Sequence, residues 1–391
     1  MRIAFIASNY PSASRPGPGA FVREFVRSMA RHGHECDVIS PVGWLDRRHG
    51  PYPPLFSEED VAGRPPIRVH RPRYLSCSHR NLGWTHTGRW TNACFARAVQ
   101  AVVAGLAPPP QIVYGHFLYP AGHAAVRAAR RIGACAVVGV GEGEFWSVEA
   151  VGFPRAAEEM KEASAFLAVS TCIAEGLVSR LGIPRDKIGV FPNGVDPAVF
   201  RPGDRAEACR QLGISADFFH VGFVGSFIPQ KGYPELIQAV AGLSDVRLVL
   251  LGRGPHPAND PQTAFCGSVP HEDVPRCLRA CDAFVLPTRI EGSSNSIIEA
   301  MACGLPIVTS NGRHMDDIVD DRVAIRVDPA DVAALRAAIR TLREDADRRT
   351  RMSVACRQKA LELDIGERAR RVTAWMEAVA ARASERQGPR G

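Results

Sequence analysis

Two carboxylates, Glu291 and Glu299, stand eight positions apart and bracket the run Gly-Ser-Ser-Asn-Ser-Ile-Ile, which continues as Glu299-Ala-Met-Ala-Cys-Gly304. An apolar stretch, Phe284-Val-Leu286, precedes the run, and the spacing predicts a short helix stopped by Gly304. Free backbone N–H groups at such a helix start suit phosphate oxygens. A carboxylate beside them does not favour phosphate, so its partners are hydroxyls, of a ribose or of a sugar. A nucleotide sugar offers both. The same residues admit a plainer reading: Ser296-x-x-Glu299 fits a capping box, and Glu291 fits a solvated loop acid.

The elements that would position these groups recur along the chain. With 391 residues, the sequence exceeds what one hydrophobic core usually supports. Short apolar runs alternate with amphipathic helices, which predicts α/β architecture with parallel sheets. The first half reads as strands at 3–7, 36–40, 67–71, 112–114, 136–140, 165–169 and 188–191, with helices at 20–31, 91–104, 121–132 and 171–181. The run Pro192-Asn-Gly-Val-Asp-Pro197 and then Arg201-Pro-Gly203 punctuate the chain. A second strand-first pattern follows, with strands at 219–224, 247–251, 283–287, 307–309 and 324–327. Its helices fall at 232–240, 296–303, 332–343, 349–362 and 367–381. Two such lobes predict a ligand in the cleft between strand carboxyl ends.

Several function classes drop out. A dehydrogenase fingerprint would follow the first strand, where Asn9-Tyr-Pro11 stands; Gly139-Val-Gly-Glu-Gly143 lacks the register, and Gly225 to Lys231 has the wrong spacing for a P-loop. No apolar run approaches the roughly 18 residues of a membrane span, and the start lacks a secretory leader, so a cytoplasmic protein is expected. Eleven scattered cysteines read as reduced thiols. His32, His34 and Cys36 are better explained by a helix end and a strand start than by a metal site, and none is expected. The net charge of +7 concentrates as arginine among aromatics over 44–97. This segment suggests contact with an anionic membrane face or an acidic acceptor, and equally fits the commoner case of a solvated surface over a satellite core; nucleic acid ranks last, since no recognised module is present.

Five segments, taken in order, resemble the retaining nucleotide-sugar glycosyltransferases of family four. They are Tyr10-Pro with Arg15-Pro-Gly17-Pro-Gly19, Tyr114-Gly-His116, Phe191-Pro-Asn-Gly, Gly225-Ser-Phe-Ile-Pro-Gln-Lys231-Gly232, and the acid pair. The resemblance covers most of the chain and implies a GT-B fold of two Rossmann-like, doubly wound parallel-sheet domains facing a central cleft. It places an acceptor-binding domain at 1–200, a donor-binding domain at 201–364, and a terminal helix at 365–391 returning to the first domain. Glu299 would bind the donor ribose and Glu291 the transferred sugar. Lys231 would face the diphosphate, as would Gly17 and Gly19 across a close backbone approach. Amides of Ser294, Asn295, Ser296 and Ile297 would hold the distal phosphate, Gly252, Arg253 and Val269 would flank the base, and His116 would meet the donor sugar. The implied chemistry is a metal-independent front-face transfer from a nucleotide-diphosphate sugar to a hydroxyl of a glycan or lipid-linked acceptor.

Two positions depart from the family pattern. Ser226 stands where an arginine often follows the second glycine, leaving Arg15, Arg253 or Arg289 to replace that cation. Gly141-Glu-Gly-Glu144 replaces a His-Gly-x-Asp motif, with Glu144 as the substitute contact to hydroxyls. Two other functions stay open: an epimerase or small-metabolite transferase of the same fold, and a catalytically silent nucleotide-sugar-binding subunit.

Overall fold

The computed structural model describes residues 1–15, 18–45, 51–77, 87–149, 151–255 and 260–387. The chain divides into two compact units, Met1–Phe191 with Gly366–Gly391, and Pro192–Ile365.

The first unit carries β1 (Arg2–Ile6), β2 (Glu35–Ile39), β3 (Val42–Gly43), β4 (Phe56–Glu59), β5 (Ile67–His70), β6 (Arg73–Tyr74), β7 (Ile112–His116), β8 (Cys135–Val140), β9 (Ala165–Ala168) and β10 (Ile188–Val190). Eight of these form one sheet in the order β10-β9-β8-β7-β1-β2-β5-β4, and β3 pairs with β6 separately. All neighbours in the large sheet are parallel except β4 and β5. The central strands are apolar on both faces because helices cover both sides; β1 and β8 are buried end to end. Asp37 in β2 is fully buried and is matched by Arg2, Arg68 and His70 at 2.9–3.1 Å.

The second unit carries β11 (Phe219–Val224), β12 (Val246–Leu251), β13 (Thr263–Gly267), β14 (Ala283–Leu286), β15 (Ile307–Ser310) and β16 (Ala324–Val327). Its wholly parallel sheet runs β13-β12-β11-β14-β15-β16. Counted within the unit, that is 3-2-1-4-5-6, the doubly wound order whose direction reverses between its first and fourth strands. In the first unit the equivalent reversal falls between β1 and β7.

The contacts move the domain break from residue 200 to Phe191/Pro192. Val195 exchanges backbone hydrogen bonds with Leu363 and Ile365, and Phe200 is buried in the second core. Arg357 donates to the carbonyls of Pro197 and Phe200, fixing the connector there. The last helix, Ile365–Gln387, gives Ala369, Val372 and Met376 to the first core. His34 belongs to this docking: its ring meets the Met1 amine at 3.2 Å and Thr373 Oγ1 at 3.1 Å. Cys36 is buried, with its thiol directed at backbone carbonyls.

Candidate active site

Open α/β sheets bind ligands beyond the strand carboxyl ends, where the strand order reverses. In the second unit that place lies past β11 and β14, and two loops are laced together there. Thr288 Oγ1, fully buried, lies 3.2 Å from the Gln230 carbonyl and 3.0 Å from that of Ile290. Arg289 donates its N–H to Gln230, and its guanidinium to the Pro229 carbonyl and to Glu235 at 2.6 Å. The lacing brings the Lys231 ammonium, on the turn Pro229–Lys231, onto the Glu291 carboxylate. An ammonium has three donors, so this ion pair leaves two for another partner.

Beyond Glu291 the helix Asn295–Ala302 begins, with Ser294 as its N-cap. The Ser294 side chain makes no cap bond to the helix; its oxygen sits 3.2 Å from Ser296 Oγ. Ser293 instead anchors the connector, accepting the Asn193 N–H on its hydroxyl and the Asn193 amide on its carbonyl. The first-turn N–H groups therefore stand at the sheet edge, lacking intrahelical partners as in any helix start. Glu299 is too deep in the helix to complete a capping box, which sets that reading aside. Its Oε1 accepts a hydrogen bond from His271 Nε2 at 2.8 Å.

The loops after β11, β12 and β13 bring the remaining donor-side residues to the same edge. Phe227 donates its N–H to the Arg253 carbonyl, and Gly252 donates to Gly267, both at 2.9 Å. A Cβ on Gly252 would fall on the Gly225 carbonyl, so only glycine permits this approach. Ser226 is exposed beside this contact, and Val269 is half-buried against the second core. Arg253 reaches Ser268 Oγ at 3.4 Å. Arg289 is held by Glu235 and the Pro229 carbonyl.

Sequence reasoning missed His271 and also His314. The latter lies on the turn Arg313–Met315 just after β15, with Nε2 3.3 Å from Ser310 Oγ. Burial lowers its pKa, opposed by the nearby Glu291 carboxylate and by a bond to the Thr288 backbone. Its signal was position alone, four residues past the end of an apolar strand.

In the first unit, His116 closes β7 at the strand reversal. Its ring lies among Phe21 and Phe117, at 5.3 and 4.4 Å, with Nδ1 3.3 Å from Tyr114 Oη. Burial, then the positive charge of Arg368, push its pKa down to about 3, so the imidazole is neutral near pH 7. Phe117 holds φ at +73°, an uncommon value for a side chain of its size. Gly19, at φ +82°, caps the helix Ala20–Arg31 where a Cβ would strike the Asn9 carbonyl. Gly17 lies outside the described residues. Glu144 is exposed past β8. Its neighbour Glu142 is locked inside, accepting the Leu118 N–H at 2.9 Å and the Ser147 hydroxyl at 2.5 Å. The sites fall into two sets. Ser226, Lys231, Gly252, Arg253, Val269, Glu291, the Ser294–Ile297 amides and Glu299 share the carboxyl edge of the second sheet; Gly19, His116 and Glu144 share that of the first.

Two doubly wound units with an acid-and-ammonium edge on the second define a glycosyltransferase of GT-B fold. A family model described as Glycosyltransferase Family 4 matches residues 17–199, and one described as Glycosyl transferases group 1 matches 219–345. The chain belongs to the family-four glycosyltransferases. It is 26% identical to TuaC of Bacillus subtilis (strain 168), assigned as a teichuronic acid biosynthesis glycosyltransferase, over 87% of this chain and 88% of that one. It is 27% identical to the MMP alpha-(1->4)-mannosyltransferase of Mycolicibacterium hassiacum, over 93% and 94% of the two chains. Among solved structures, sucrose-phosphate synthase from Thermosynechococcus elongatus superposes with a TM-score of 0.78 at 19% identity, covering 97% of this chain and 99% of that one. Anabaena Alr3699/HepE superposes with a TM-score of 0.71 at 17% identity, covering 97% and 100%.

Proposed function

We propose that this glycosyltransferase takes its sugar from a nucleotide-diphosphate donor and passes it, with retention at the anomeric carbon, to a hydroxyl of a glycan or lipid-linked glycan. The observation that carries the proposal is the sequence of groups along one sheet edge: Lys231 on Glu291, then a helix start, then Glu299 on His271. A cation and free N–H groups suit a diphosphate, while carboxylates on either side suit the hydroxyls of sugar and ribose. The HepE structures were solved with UDP and with UDP-glucose, which accords with this assignment.

In the proposed front-face reaction the anomeric C–O bond to the diphosphate breaks as the acceptor oxygen forms its bond on the same face. The acceptor proton passes to the departing diphosphate oxygen. Lys231 and the first-turn amides stabilise the charge gathering on that oxygen, the kind of preorganised donor whose loss costs about 10²–10³ in rate. Neutral His116 would hydrogen-bond the donor sugar without adding charge. With this countercharge supplied by the chain, no metal cofactor is required.

The test is transfer from UDP-, GDP- and ADP-linked sugars to a glycan panel in EDTA, with the product anomer read by NMR. Retention is expected, with undiminished turnover in EDTA and a loss of at least about a hundredfold in Lys231→Ala and Glu299→Ala at unchanged melting temperature. An inverted product, activity restored only by magnesium, or wild-type turnover in both variants would overturn the proposal.

A further inference from the structure

His271 has no part in the roles assigned so far, yet it touches the residue proposed for ribose. It opens the turn His271–Asp273, two residues after Val269 on the loop leaving β13. Glu299 sits on a different element, the helix after β14, and its side chain is only 12% exposed. The two are joined by the 2.8 Å contact between His271 Nε2 and Glu299 Oε1. An ionised carboxylate only accepts, so Nε2 carries the hydrogen. On its other side the His271 ring packs on Phe200, a buried residue of the connector, at 5.4 Å between centroids. The histidine is thus held by an aromatic wall and in turn holds the acid.

We infer that His271 is a positioning residue for nucleoside recognition: it fixes the Glu299 carboxylate so that the second oxygen is presented to the ribose hydroxyls. This rests on the reading of Glu299 as the ribose-binding acid. A carboxylate on a flexible side chain loses rotamer freedom when it captures a diol, and a group that already holds one oxygen removes that cost before the ligand arrives. The arrangement also couples two parts of the donor site. The loop that carries Val269, beside the base, ends in the residue that orients the acid for the sugar attached to that base. Discrimination between ribose and a ribose lacking its hydroxyls then depends on His271 as well as on Glu299.

The experiment measures, by titration calorimetry, the affinities of UDP, GDP and ADP and of their 2′,3′-dideoxy counterparts. The wild type should prefer the ribonucleotide of the base it binds, and E299A should abolish that preference. H271A and H271F should each reduce the preference by about tenfold, the worth of a charge-assisted hydrogen bond. H271F keeps the ring against Phe200 without the donor. H271Q, which can return an N–H to the carboxylate, should restore most of the preference. If E299A abolishes the preference while H271F keeps it, the inference on His271 fails and the ribose reading stands. If E299A keeps the preference, the ribose reading itself fails and the inference with it. Equal preferences in H271F and H271Q would also overturn the inference, since packing and not the donor would then be what matters.

Discussion

Glu142 and Glu144 are two residues apart and meet opposite environments. Burial raises the pKa of Glu142, and the bonds from Ser147 and Leu118 only partly offset it. A carboxyl whose folded pKa exceeds its unfolded value stabilises the fold most fully below the unfolded pKa, and that contribution is lost as pH rises through the folded value. Glu142→Gln keeps an acceptor for the Leu118 N–H and removes the charge. Its melting temperature relative to wild type should therefore climb between pH 4.5 and pH 8 in a thermal-unfolding series. A difference that stays flat across that range would contradict the assignment. Glu142→Ala should instead cost roughly 1–3 kcal/mol, because it strands a buried N–H. Spacing alone could not choose between the two acids, and the family register pointed only to Glu144. Lys231, Glu291 and Glu299 were legible because each sits in a segment whose local order is distinctive. His271 and His314 were not, since each joins the edge from a loop remote in sequence from the acid it approaches.

At the scale of elements, the last helix does more than cover the first core. It carries Arg368, whose guanidinium lies 4.8 Å from the Phe25 ring centroid and donates to the Phe191 carbonyl at 3.4 Å. Burial lowers its pKa to about 10, with the Tyr114 hydroxyl opposing. Among the described residues, the groups around His116 are Tyr114 on its own strand, the rings of Phe21 and Phe117, and the Arg368 cation from the terminal helix. Arg368→Met should raise the His116 pKa toward its ordinary value, though not reach it, because burial is the larger cause. Arg368→Lys should leave it low. NMR titration of the imidazole decides, and an unmoved pKa in Arg368→Met would show that the helix is only a cover. This helix was legible as an amphipathic tail, as were nearly all the interior strands, whose apolar runs have no other stable place. Several unread elements were of another kind. Thr263–Gly267 is an edge strand without a fully buried residue, Phe56–Glu59 is an antiparallel edge of alternating exposure, and Arg205–Leu212 buries only Ala208 and Cys209. Where burial is slight, the hydrophobic pattern that reveals an element is slight too.

For the molecule as a whole, the surface argues for where it works. Large apolar side chains are exposed at Trp44, Leu45, Leu55, Phe56 and Leu75 of the first unit. Backbone pairing draws them together: Trp44 donates its N–H to Tyr74, Arg71 donates to Leu55, and Phe56 lies across from His70. Exposed apolar residues on paired segments make this face a candidate for docking. Among the described residues no helix is long and apolar enough to cross a membrane. The chain's +7 charge and the exposed Arg64, Arg89 and Arg97 of the same unit favour anionic headgroups. Peripheral docking on an anionic bilayer would bring a lipid-linked acceptor to the enzyme. Co-sedimentation with phosphatidylglycerol vesicles should capture the protein, and phosphatidylcholine vesicles should capture much less. Raising ionic strength should release it, because the screening length falls from about 10 Å at 0.1 M to about 3 Å at 1 M. Trp44→Ala with Leu75→Ala should weaken capture at low salt by tenfold or more, given about 1.5–3 kcal/mol for each large side chain buried. The same variant should retain turnover on a water-soluble acceptor, since neither residue belongs to the sheet edges that carry the chemistry. Capture indifferent to lipid charge, or unchanged by the paired substitution, would remove the membrane from this account and leave the exposed apolar side chains to another partner.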